Sequence, residues 1–232
     1  MSREASVRGL VGLFPAFVAQ HSVAFEPHAE SQLADRFPGI HVPASLARAV
    51  PKRRIEYAAG RFCAQQALRA CSPEDASSVI GIGSHGEPLW PAGIVGAITH
   101  TREFAAAAVA LKRDARAIGF DAERLTQLSA DVLEYIAVPA EIPALAFTSG
   151  MTADAVASVV FSAKEALFKC LYPEVQRYFD FRDALIEALD SNGTFTARLL
   201  VGLTPHLPQG SRFEGRFALA DGRVYTAIVL EP

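Results

Sequence analysis

Between residues 52 and 71 the chain places Ile55, Ala59, Phe62, Cys63, Gln66 and Ala67 three and four residues apart, and Pro73 follows. That period predicts an α-helix with one buried face, ended by the proline. A stronger helical run, "DAVASVVFSAKEALFKCL", covers 154–171, with Thr152 as its cap and Pro173 expected to stop it. Between the two the period changes. Residues 104–111 are uniformly apolar, 112–116 form a basic turn, and Ile118, Gly119 and Phe120 resume the apolar pattern, which predicts strand, turn, strand. Another strand is expected near 94–99. The last third, with "FDFRDALIEA", "GTFTARLL" and "SRFEGRFALADGRVYTAIVL", reads as antiparallel strands with a hairpin turn at Asp221-Gly222. Residues 1–50 are irregular, with a strand-like "HSVAFE" and a short helix around 45–49. A charged turn and a helical stretch follow residue 123 as far as about 137, and Pro139 and Pro143 leave the segment up to 152 without an assigned form. Each half thus offers one long helix and several strands, with no low-complexity linker and no tandem repeat. The fold class expected is α+β, in two packed halves, 1–115 and 116–232.

Composition narrows the functional classes. The chain has 232 residues, 50% of them hydrophobic, a formal net charge of −3 and a pI near 6.1. Nucleic acid or an anionic membrane is therefore not expected as the main partner, and any anion site must be local. Cys63, Cys71 and Cys170 form no C-x-x-C pair and suit a reducing compartment. "VRGLVGLFPAFVAQ" imitates a secretory signal, with Arg3 and Arg8 ahead of an apolar run. Gly12 and Pro15 break the run and Glu4 spoils the basic region, so the signal reading is rejected. The longest apolar run, residues 104–111, is too short to span a bilayer. A cytoplasmic protein is expected.

"GIGSHG" at residues 81–86 matches the dinucleotide fingerprint, but the following "EPLWP" cannot open a helix, so a Rossmann site is not expected. "AIGFDAER" ends on Asp121 and Glu123, which share one face of a strand. They are either a solvated strand end or a hard-cation site. On the second helix Glu165 and Lys169 lie one turn apart beside Lys164; a surface ion pair is the plain reading, but the surroundings are apolar and buried charges need partners or a ligand. Arg53, Arg54 and Arg61 share the first helix, where Arg61 can cooperate with either of the others as surface decoration or as a phosphate grip. His100 ends an apolar strand, as a structural histidine or within reach of a phosphate.

Taken in order, "KRRIEYAAGRFCAQQAL", "GEPLWPAGIVGAITHT", "IGFDAE" and "FSAKEALFK" resemble the motif series of the 4'-phosphopantetheinyl transferases, in the branch of the enterobactin-synthetase transferase and the Pseudomonas and mycobacterial monodomain enzymes. The resemblance runs over about residues 50–180. It implies transfer of the phosphopantetheine arm of coenzyme A to a serine of an apo acyl or peptidyl carrier protein, with Mg²⁺ required and 3',5'-ADP released. It further implies two similar α+β halves related by a pseudo-twofold, with the active site in the cleft between them, and a monomer. By the same resemblance Asp121, Glu123 and Glu165 are metal ligands, with Glu165 alternatively the base for the serine proton. Lys164 and Lys169 lie near the phosphates, His100 holds a CoA phosphate, Arg53 and Arg61 grip the nucleotide end, and His85 and Pro88 belong to the G-x-P motif.

Two departures stand out. Ala97 occupies a position where relatives usually carry serine, and His85 one where a basic residue is common. Two other classes compete: a non-catalytic CoA- or carrier-binding protein, against which the intact acidic trio and lysines argue, and a Mg²⁺-dependent phosphohydrolase, which leaves "GEPLWPAGIVGAITHT" unexplained.

Overall fold

Pro51 suits the start of a helix because its φ is preset and its missing N–H has no helical partner to lose there. In the computed structural model, which describes residues 8–26 and 33–232, that proline opens the longest helix of the first half. Arg3 and Glu4 of the signal-like stretch lie outside the described residues. The elements of this half are β1 (Ala19–Ala24), α1 (Leu33–Arg36), α2 (Pro51–Cys71), β2 (Gly81–Ile82), β3 (Pro88–Leu89), β4 (Ile94–Thr101) and β5 (Phe104–Leu111). A 3₁₀ turn at Ala44–Leu46 stands where a short helix is expected at 45–49.

Tertiary contacts divide the chain into two compact units, Ala16–Ile118 with Glu231–Pro232, and Gly119–Leu230 with residues 8–15. A linear cut at 115/116 leaves residues 8–15 with the first half, whereas they pack with the second. Gly9 lies against the Tyr225 ring, where an added Cβ would come within 2.2 Å, and Phe14 meets Phe120 edge-on at 5.1 Å.

In the first unit β5 is the centre of an antiparallel sheet ordered β1-β5-β4. Its run of alanines, Ala105 to Ala108, is fully buried. Small side chains let α2 settle close to the sheet, with Ile55, Ala59, Cys63 and Leu68 facing it. "GIGSHG" forms part of the β2–β3 hairpin, with Gly81 opposite Leu89 and Ile82 opposite Pro88, and opens no helix.

The second unit contains β6 (Ala117–Arg124) from Gly119 onward, α3 (Ala130–Ile136), α4 (Glu141–Ser149), α5 (Ala153–Val175), β7 (Ala184–Leu189), β8 (Thr194–Leu199), β9 (Arg212–Ala220) and β10 (Arg223–Leu230). Its sheet is ordered β6-β10-β9-β8-β7 and α5 packs on β10. Asp221 and Gly222, at φ of 52° and 69°, make the expected hairpin turn. Thr152 caps α5 by accepting from the Ala155 amide.

One proline gives form to the unassigned segment, and another departs from expectation. Pro143 falls in the first turn of α4, where no N–H is needed, so the unassigned segment holds a helix that Gly150 closes at φ 70°. Pro173 does not stop α5, which continues to Val175 and ends on Gln176 at φ 52°. In the last turn the proline forfeits one backbone bond while the buried face continues through Tyr172 and Val175. Among the described residues no single helix is long and apolar enough to cross a membrane.

Candidate active site

Strand β6 brings Asp121 and Glu123 to helix α5, and Gly119 explains how closely. A Cβ at position 119 would sit 1.9 Å from the Ala166 carbonyl oxygen, so strand and helix meet backbone to backbone. That approach sets Lys169 onto Asp121: its Nζ donates to Oδ1 at 2.6 Å and to the Phe120 carbonyl at 3.3 Å. On the other carboxylate oxygen, the Ser162 hydroxyl donates to Oδ2 at 2.8 Å and lies 2.8 Å from Thr226 Oγ1.

Burial first, and then neighbouring charge, set the proton affinities. Burial, and then the Asp121 carboxylate, push Glu123 up to about 7 against a smaller pull from Lys169. Burial also raises Glu165, partly offset by Lys169. For Lys169, burial works against the charge, but Asp121, Glu165 and Glu123 together hold it above the usual lysine range. With all four groups ionised, three carboxylates around one ammonium leave two negative charges uncompensated.

No three Asp, Glu, His or Cys side chains converge into a coordination site among the described residues. Lys169 is seated on Asp121 instead. The donor set still fits a hard divalent cation in kind, with oxygen ligands only and surplus negative charge.

Lys164 goes elsewhere. Adjacent helical residues point about 100° apart, and Lys164 turns into the core, 2% exposed, where Nζ donates to Glu141 Oε2 and the Ile136 carbonyl, both at 2.9 Å. Glu141 also accepts from the amides of Val138 (2.9 Å) and Ile186 (2.7 Å). The structure does not bring Lys164 to the acidic cluster.

In the first unit, Arg53 Nη1 lies 3.0 Å from His100 Nε2. Arginine only donates, so Nε2 accepts and the proton of the neutral ring is on Nδ1, 3.9 Å from Glu56 Oε2. Glu56 also pairs with Lys52 at 3.6 Å. Arg61, 8% exposed, donates from Nη2 to the Gly81 carbonyl at 3.0 Å and stacks over Tyr57, while its buried Nε has no hydrogen-bond partner among the described residues. Arg54 donates to the Ala47 carbonyl. His85 Nδ1 sits 3.0 Å from Ser84 Oγ in the β2–β3 loop, Pro88 pairs with Ile82 in that hairpin, and Ala97 is buried in β4.

The family model of the 4'-phosphopantetheinyl transferase N-terminal domain matches residues 42–110, and that of the 4'-phosphopantetheinyl transferase superfamily matches 117–220. The chain is 38% identical over 227 residues to the 4'-phosphopantetheinyl transferase Svp of Streptomyces mobaraensis, covering 95% of this chain and 89% of that protein. It is 38% identical over 197 residues to Npt of Nocardia iowensis, 79% and 85% covered, and 35% identical over 231 residues to PptT of Mycobacterium tuberculosis, 95% and 99% covered. The chain belongs to the 4'-phosphopantetheinyl transferase superfamily.

Several residues of this transferase escaped the sequence reading. Ser162 was legible only as a small polar residue on a buried helical face, and Thr226 and Glu141 meet their partners across 64 and 23 residues. Glu56 lies three residues after Arg53 and so points to the same side of α2. Phe161, Glu165 and Phe168 share a face of α5, and beside them the Tyr135 and Tyr178 hydroxyls meet at 3.0 Å.

Proposed function

We propose that this transferase moves the 4'-phosphopantetheine arm of coenzyme A onto a serine hydroxyl of an apo acyl or peptidyl carrier protein, with Mg²⁺, releasing 3',5'-ADP. The observation that carries the reading is the Asp121, Glu123, Glu165 and Lys169 cluster, with more negative charge than its lysine balances.

Asp121, Glu123 and Glu165 would hold the Mg²⁺, whose chemistry is to draw charge off pyrophosphate oxygens. Lys169 supplies a fixed positive charge for the leaving phosphate. Glu165, raised by burial, suits the acceptance of the serine proton. His100 and Arg53, already in contact, are assigned to a CoA phosphate, and Arg61 to the nucleotide end by its place in the matched motif "KRRIEYAAGRF". His85 and Pro88 are placed by the β2–β3 hairpin, whose Gly81 carbonyl Arg61 holds. A cytoplasmic location is supported by Cys63, Cys71 and Cys170, which form no disulfide.

The test incubates the protein with CoA, Mg²⁺ and an apo carrier protein and weighs the carrier. Transfer adds about 340 Da, the mass of phosphopantetheine, as a two-substrate reaction requires and binding alone does not. An unchanged carrier mass with a folded enzyme would overturn the proposal.

A further inference from the structure

Asp121, Ser162 and Thr226 form a chain of oxygen atoms in the core of the second unit. Their exposures are 3%, 0% and 0%. Helical serines commonly return their hydroxyl to the carbonyl four residues back, and Ser158 does so, donating to the Asp154 carbonyl at 3.0 Å. Ser162, one turn on, spends its proton across 41 residues on Asp121 Oδ2 at 2.8 Å.

Hydrogen counting sets the direction of the chain. A serine hydroxyl has one proton and an ionised carboxylate has none. With the Ser162 proton on Asp121, the 2.8 Å contact with Thr226 needs the proton of Thr226. The order is Thr226 to Ser162 to Asp121. Thr226 lies within β10, the neighbour of β6, and Ser162 on α5, so three elements fix one carboxylate oxygen. The other oxygen, Oδ1, faces Lys169, whose side chain is 27% exposed.

We infer that Ser162 and Thr226 are positioning residues for catalysis: their hydroxyl relay locks the Asp121 carboxylate so that Oδ1, and not Oδ2, is presented to the cation. The inference rests on the proposed metal role of Asp121. A ligand oriented by an outer hydrogen bond loses affinity when that bond is removed, about 10–100-fold in comparable metal sites. The effect belongs to Ser162 first, because it touches the ligand. Thr226 acts through Ser162, so its removal costs less.

The experiment titrates the full-length protein with Mn²⁺, followed by electron paramagnetic resonance of the free ion, and repeats the titration with Mg²⁺ as competitor. It compares wild type with Ser162→Ala, Thr226→Val and Thr226→Ser, and records each thermal midpoint. Mn²⁺ affinity should fall roughly 10–100-fold in Ser162→Ala, fall less in Thr226→Val, and return to the wild-type value in Thr226→Ser. Ser162→Cys keeps the volume with a weak donor and should fall between wild type and Ser162→Ala. Ser162→Ala that binds Mn²⁺ like wild type, with only its midpoint lowered, would show buried hydroxyls that merely satisfy one another, and would overturn the inference while leaving the metal reading intact. Wild type that takes up no Mn²⁺ would remove both.

Discussion

Replacing Lys164 with methionine separates a lysine that meets substrate from one that braces the fold. The ammonium has two acceptors, Glu141 and the Ile136 carbonyl, and the pair is buried, with side chains 1% and 0% exposed. Without it Glu141 keeps only the Val138 and Ile186 amides. Stripping one partner from a buried ion pair costs about 3–5 kcal/mol. At about 2–4 °C per kcal/mol for a chain of this size, the thermal midpoint should drop roughly 6–20 °C. Lys164→Met combined with Glu141→Gln should recover part of that loss, because the neutral amide leaves no buried charge unpaired and its oxygen can still accept from the Ile186 amide, while the Val138 amide gives up its acceptor. Thermal unfolding by circular dichroism reads the stability. Steady-state transfer, below both transitions, should show the KM for CoA within about threefold of wild type, since uniform substrate binding is untouched. The opposite pattern refutes the reasoning: an unmoved midpoint with a KM for CoA raised roughly 10- to 150-fold, as a lost charge-assisted bond to phosphate would give.

Glu165→Gln should lower kcat by roughly 10²–10⁴ without lowering the thermal midpoint, because burial already disfavours the charge at this position; a retained rate would make the residue structural. Glu123, held up to about 7 from 4.5, favours its neutral form in the fold, so its contribution is complete below pH 4.5 and is lost as pH rises through 7. In chelator, wild type should therefore lose about 1–3 kcal/mol relative to Glu123→Gln over that window, measured by urea unfolding, and parallel curves would reject the coupling. Arg61→Ala should weaken CoA roughly 10- to 150-fold and dephospho-CoA far less; equal losses would make Arg61 a brace for the β2–β3 hairpin through Gly81. Gly119→Ala should cost about 3 kcal/mol or more from overpacking, visible as a lower midpoint, and an unchanged midpoint would contradict the close contact of β6 with α5.

What the chain discloses by itself depends on how local each cause is. The two long helices and the strands around 94–124 follow from periodicity, because each buries one continuous face. Helix α4 was hidden by Pro143, whose effect depends on whether it enters a first turn or an interior. Pro173 misled for a related reason, since it falls in the last turn of α5. Asp121, Glu165 and Lys169 were recognisable as a motif, yet the direction of Lys164 was not, since it is decided by Glu141, 23 residues away. The spacing alone held a clue: neighbours on a helix diverge by about 100°, so Lys164 and Glu165 cannot face the same point.

The contact of Gly119 with Ala166 has a bearing on how such an enzyme can be changed. Where strand and helix touch through main chain, no side chain remains to be trimmed or enlarged, so the spacing of Asp121 from Lys169 cannot drift by small substitutions. Variation beside this contact is then left to the half-buried and exposed side chains of the same helix and its surroundings, such as Phe161, Phe168 and Tyr178. A mutagenesis library that leaves residues 119 and 166 untouched and varies those three would alter the surface beside the acidic cluster while the spacing of Asp121 from Lys169 is kept.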